Sequence, residues 1–164
     1  MKLARLAPLV VLALVACSPS PTTAAVVGDT TIPQQRVEDL METCPTFGET
    51  TVTEAAALTV IMRLELFREV GEASGVDMSE ERLDTFLRET EEALQIIREQ
   101  PECIDVLMPQ AAQIILQEEA NPEEAQASLA AIEVTVNPRR FQWDEQQGAV
   151  AEGSGSVSVP GGLG

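Results

Sequence analysis

Helical periodicity runs from Pro33 to Ile132 with few interruptions, and the two segments that read most plainly as strands bracket it. The first is Ala25-Val26-Val27, then Gly28-Asp29, then Thr30-Thr31-Ile32: β-branched residues around a turn pair, hence a strand or a tight hairpin. The second is Glu133-Val134-Thr135-Val136-Asn137, which alternates as a strand does and is ended by Pro138. A strand without a neighbour leaves its backbone amides and carbonyls unpaired. The two ends are therefore expected to pair with each other and close a helical body, a mainly α fold with a small β element. Phe141-Gln142-Trp143 reads as one more short strand, with Asp144 to Gly148 as a turn.

Between the strands the apolar spacing divides the chain into helices. Pro33 opens the first, with Val37, Leu40 and Met41 on one side, ending near Cys44-Pro45. Thr46 to Thr53 reads as loop, and Thr51 with Glu54 as a capping box for the next helix. That helix runs to Ser74, where Gly75 stops it, and Ala57, Val60, Ile61, Leu64, Phe67 and Val70 make it central. Ser79 caps a third helix ending at Pro101, with Leu83, Phe86, Leu87, Leu94 and Ile97 inward. A fourth, Glu102 to Glu119, is expected to kink or divide at Pro109. Asn121-Pro122-Glu123-Glu124 starts a short helix to Ile132, with a cap, a Pro at the first position and acids in the first turn.

Composition narrows the function. Apolar residues make up 45% of the 164 positions, enough for a core. The chain has no His, which removes the commonest general base, the Ser-His and Cys-His nucleophiles and most zinc sites. A net charge of −17 with 3% aromatic residues excludes phosphate neutralisation and base stacking, so no nucleic acid is expected as a partner. No catalytic, metal or cofactor-binding residue can be named, and no cofactor is expected.

The N-terminus reads as an address. Lys2 and Arg5 precede an uncharged run from Leu6 to Ala16, too short for a membrane span of about 20 residues and interrupted by Pro8. Leu14-Val15-Ala16-Cys17 resembles the bacterial lipobox, in which cleavage before the Cys leaves it to carry lipid. The resemblance implies a leader over residues 1–16, lipidation at Cys17, a Ser/Pro tether over 17–24, and a cell-membrane location facing away from the cytoplasm. The folded domain is expected over 25–151 and a disordered Gly/Ser tail over 152–164. Loss of Lys2 and Arg5 with the leader makes the remainder more acidic still, so anionic head groups repel it and only its acyl chains hold the membrane.

The order of elements carries a second resemblance. Ala25 to Ile32 followed by Pro33-Gln34-Gln35-Arg36-Val37-Glu38-Asp39-Leu40 resembles the opening of the SurA/PrsA-type foldase N-terminal domain. Gly75 to Leu83 is similar to that family's turn into its next helix. Val134 to Arg139, with Phe141 and Trp143, resembles the closing strand of small actinobacterial lipoproteins of this kind. The resemblance implies a SurA-N-like helical chaperone module that cradles non-native polypeptides outside the cytoplasm. Larger relatives insert a parvulin-type prolyl isomerase domain; here no insertion of that size remains and the His residues of such sites are absent, so isomerase activity is not expected.

Cys44 and Cys103 are an even pair in an oxidising compartment and a disulfide candidate, with two free thiols as the alternative that their distance would decide. The acid pairs Glu80-Glu81, Glu91-Glu92, Glu118-Glu119 and Glu123-Glu124 lack the loop pattern of a calcium hand and read as solvated helix faces. For client binding, Leu107, Met108, Ile114, Ile115 and Leu116 around Pro109 offer an adaptable apolar stretch, each with core packing as its plainer role. The expected function is a lipid-anchored extracytoplasmic holdase or foldase-like chaperone that binds unfolded or partly folded secreted proteins, with a preference for basic ones. The alternative is a structural or adaptor envelope lipoprotein that holds one partner.

Overall fold

A computed structural model describes residue 20 and residues 22–144 and 146–153. The leader, Cys17 and the tail beyond Gly153 lie outside the described residues. The described residues are mainly helical, with three small sheets. Strands β1 (Thr23–Val27) and β2 (Thr30–Pro33) form a hairpin whose turn residue Gly28 has φ 53°, a left-handed value that glycine adopts without strain. Strand β5 (Val134–Val136) pairs antiparallel with β1, Val27 opposite Val134 and Ala25 opposite Val136, giving the order β2-β1-β5. The two segments that bracket the helices are thus paired as their alternation requires. Buried Asn137 locks this closure: its amide N–H donates to the Ala24 carbonyl at 2.8 Å and its Nδ2 to the Thr23 carbonyl at 3.1 Å. Strand β1 already begins at Thr23, so the tether expected through Ala24 is two residues shorter on that side.

Helix α1 (Gln34–Thr43) leads to a hairpin that the sequence left as loop: β3 (Thr46–Phe47) and β4 (Thr50–Thr51) turn at Gly48, φ 60°. Because Thr51 is taken into β4, the cap of α2 (Glu54–Ser74) is Thr53, whose side chain accepts from the Ala56 N–H at 3.2 Å, rather than Thr51. Helix α2 spans the molecule. Its first half (Ala57, Leu58, Ile61, Met62) packs with the sheet, α1 and Phe141; Leu64 and Val70 pack with the remaining helices. Gly75 ends it as expected, in the left-handed region.

The expected third helix is two. Thr90, at ψ 115°, closes α3 (Glu80–Glu89), with its hydroxyl on the Phe86 carbonyl at 2.9 Å, and opens α4 (Glu91–Glu99). The break resets the helical phase, so Ala93 and Ile97 face inward while Leu94 is only half-buried. After a 3-10 turn (Pro101–Cys103) comes α5 (Ile104–Glu119), which passes Pro109 without division. Pro109 sits early in the helix, and the carbonyl that loses its donor belongs to exposed Asp105, where water can replace the amide. Cys44, closing α1, is bonded to Cys103 with Cα atoms 5.0 Å apart, so the free-thiol alternative does not describe this fold.

Helix α6 (Pro122–Ala131) follows, then β5 and a hairpin of β6 (Phe141–Asp144) and β7 (Ala149–Glu152) laid on α2. Strand β7 has no counterpart in the sequence reading, which ends the turn at Gly148, assigns no element to 149–151 and starts the tail at Glu152. Its Val150 is buried and donates its N–H to Thr59 Oγ1 on α2 at 2.9 Å. Arg63 of α2 holds the hairpin turn through the Gly148 and Gln147 carbonyls at 3.0 and 3.2 Å. No helix among the described residues is long and apolar enough to cross a membrane.

Candidate functional site

Helix α6 is locally well made but shallowly docked. Asn121 Oδ1 accepts from the Glu123 and Glu124 amides at 2.9 and 3.3 Å, and Pro122 occupies the first position. Its body, Ala125-Gln126-Ala127-Ser128-Leu129-Ala130-Ala131, carries one large apolar side chain, and no residue of the helix is buried. Alanine and serine cannot fill the space that Leu or Ile would fill over α2, so grooves remain on both sides.

On the α5 side lies a groove of about 340 Å³, floored by Phe67, Val70 and Leu116 and walled by Gln113, Gln117, Ala125 and Leu129. No charged side chain lines it, although the chain carries a net charge of −17. On the strand side lies a second, of about 470 Å³, bounded by Leu66, Ile132, Val134 and Trp143. The one cation at its edge, Arg63, is engaged by the hairpin turn. Phe67 and Leu129 line both, so the two grooves lie side by side and share an apolar edge. Leu129 is 45% exposed, the exposed large hydrophobic residue among the described residues.

A contrasting polar cleft of about 230 Å³ lies between α1, α2, α3 and α5, with Arg36, Asp39, Arg68, Glu80 and Asp105 at its walls. Its two cations are engaged: Arg36 and Arg68 reach the buried carboxylate of Glu65 at 2.7 and 3.3 Å. Nearby, the Arg88 guanidinium donates to Asp84 at 2.7 Å and holds its carboxyl below the usual range. The Ser79 amide does the same to Asp77. No group of three acids or cysteines suited to a metal ion occurs among the described residues.

The residues expected to touch clients are dispersed. Leu107, Met108, Ile115 and Leu116 are buried and Ile114 is half-buried. Leu107 and Ile114 line a crevice of about 170 Å³ with Phe86 and Ile96, while Met108 floors the polar cleft. Ile115, 1% exposed, belongs wholly to the core. Leu116 alone reaches the apolar groove. The stretch around Pro109 is therefore not a surface: α2 covers one side of α5 and α3 another, which uses its full apolar width. Sequence reasoning missed Phe67, Leu129 and Trp143 as a set. The available signal was Leu129 alone on a helix of alanines, an apolar residue with too little company to be core.

No protein-family model matches this chain, and no curated protein or solved structure matches it.

Proposed function

We propose that this protein is a lipid-anchored extracytoplasmic chaperone of the SurA-N-like kind, which holds apolar segments of non-native secreted chains and has no isomerase activity of its own. The observation that carries the reading is the apolar lining of the two neighbouring grooves, Phe67, Leu116, Leu129 and Trp143, on an otherwise strongly acidic chain. Exposed apolar patches rimmed by polar residues are a hallmark of binding surfaces. Burying one large client side chain contributes about 1.5–3 kcal/mol. Two or three such side chains barely offset the cost of association, about 4 kcal/mol or more, so binding is weak and release needs no energy source. The acidic surface keeps the loaded complexes apart. The lipobox-like Cys17 supports the anchor, and the absence of His supports the lack of a parvulin site.

A second reading, an adaptor for one envelope partner, is favoured by the size of the groove, which at about 340 Å³ admits only a few side chains. Light scattering from three unrelated unfolded clients separates the two. The purified chain is expected to slow aggregation of all three at stoichiometric ratio, and Leu129→Glu to lose the effect with an unchanged circular dichroism spectrum. It is expected to leave the rate of prolyl isomerisation in a test peptide unaltered. No protection of any client would sink the chaperone reading in favour of the adaptor.

A further inference from the structure

The groove on the α5 side reaches the corner where α5 passes into α6, through Ala120 and Pro122 in its lining. Glu118, Glu123 and Glu124 stand exposed around that corner, and none of the ion pairs among the described residues engages them, whereas Glu119 is paired with Arg82 at 2.8 Å. The same corner joins the C-terminal end of α5 to the N-terminal end of α6, whose partial charges are opposite and offset each other, so the side chains set its sign. The last turn of α5 has no basic residue and carries Glu118 and Glu119 instead. The corner therefore gathers three carboxylates unpaired among the described residues, the cation that reaches it, Arg82, being taken up by Glu119, beside a groove lined by no charged side chain.

We infer that the groove is specific for polypeptide segments in which large apolar side chains are followed by two or more Lys or Arg residues, the apolar part lying on Phe67, Leu116 and Leu129 and the basic part at the α5–α6 corner. The inference rests on the groove being the binding site and adds which segments it selects. Charge complementarity decides the occupant. A second copy would bring another −17, and an anionic membrane surface is repelled in the same way. Exposed ion pairs contribute little singly, and three together amount to about a tenfold change in affinity, lost at high salt.

The test uses the full chain and three labelled peptides that share one Leu/Phe-rich core and end in Lys, Gln or Glu residues. Fluorescence anisotropy measures affinity, and emission of Trp143, the single tryptophan, reports on the strand-side groove. The Lys peptide is expected to bind about tenfold more tightly than the Gln peptide at low salt, and the Glu peptide more weakly than either. High salt should bring the three together. The triple variant Glu118→Gln, Glu123→Gln, Glu124→Gln should bind the Lys and Gln peptides alike while keeping the Gln affinity of the parent. Equal affinities for all three peptides, or a triple variant that still prefers Lys, would overturn the charge selection and leave the groove standing. If no peptide binds, and Leu129→Ser changes nothing, the groove reading fails and the inference with it. Concentration-dependent dimerisation abolished by Leu129→Ser would assign the groove to a second copy and overturn the inference as well.

Discussion

Removing the Cys44–Cys103 bridge with the double substitution C44A/C103A tests how this fold is held together. The bridge joins the end of α1 to the turn before α5, and the 59-residue separation contains β3, β4, α2, α3 and α4. In the loop-entropy description, opening a loop of that length frees about 14 cal/mol/K in the unfolded chain, or about 4 kcal/mol at room temperature. Both cysteines are buried, so the lost sulfur contacts add to this figure. Domains of this size have about 5–15 kcal/mol in total, so about a quarter or more of the stability is at stake. The melting temperature should fall by roughly 15 °C. Urea denaturation of wild type and variant, each followed by circular dichroism, checks both the midpoint and the slope. The slope should rise, because an uncrosslinked unfolded chain exposes more surface. A competing link exists: Gln100 accepts from the Gly48 amide at 2.9 Å and donates to the Thr46 carbonyl at 3.3 Å, joining the same two regions without sulfur. A variant that loses less than about 1 kcal/mol would mean that such contacts hold the region, and would refute the loop-entropy reasoning.

Truncation tests the closure of the two chain ends. A chain cut after Ile132 loses β5, β6 and β7, with buried Phe141, Asn137 and Val150, and is expected not to fold. A cut after Gly148 loses only β7 and should cost about 2–3 kcal/mol for Val150 and its hydrogen bond to Thr59, whereas a cut after Gly153 should change little. Equal melting temperatures for the three would rule out closure by β1–β5 pairing. For the anchor, Cys17→Ser should yield a protein without acyl chains, either an uncleaved precursor or a released form; finding the acylated mass in that variant by mass spectrometry would exclude lipidation at Cys17.

Features set by the backbone of a few neighbouring residues could be read directly from the sequence. Gly75 stops α2 because the left-handed conformation is cheap only there, and Asn121 caps α6 with its own side chain. The pairing of β1 with β5 was also legible, although its partners are far apart in sequence, because an isolated strand at each end leaves backbone groups that only the other can satisfy. Choices between residues of equal local fitness were not legible. Thr51 and Thr53 cap equally well, and the β3–β4 pairing decided between them. Thr90 is tolerated inside helices, and the separate docking of α3 and α4 made it a break. Ala149-Val150-Ala151-Glu152 has little strand propensity of its own; β6 and Thr59 make it one.

The candidate site divides in the same way. That Ile104 to Leu116 is too apolar to lie in water is a property of its residues, and so is the poverty of large side chains on α6. Which of those apolar atoms remain uncovered depends on which helices lie over them. Helices α2 and α3 cover Leu107, Met108 and Ile115, whereas α6, built of alanine and serine, leaves Phe67 half-buried and Leu129 exposed between the grooves on its two flanks. Hydrophobicity is a property of the chain, but exposure is a property of the neighbours, because burial is measured against surfaces that only folding brings together.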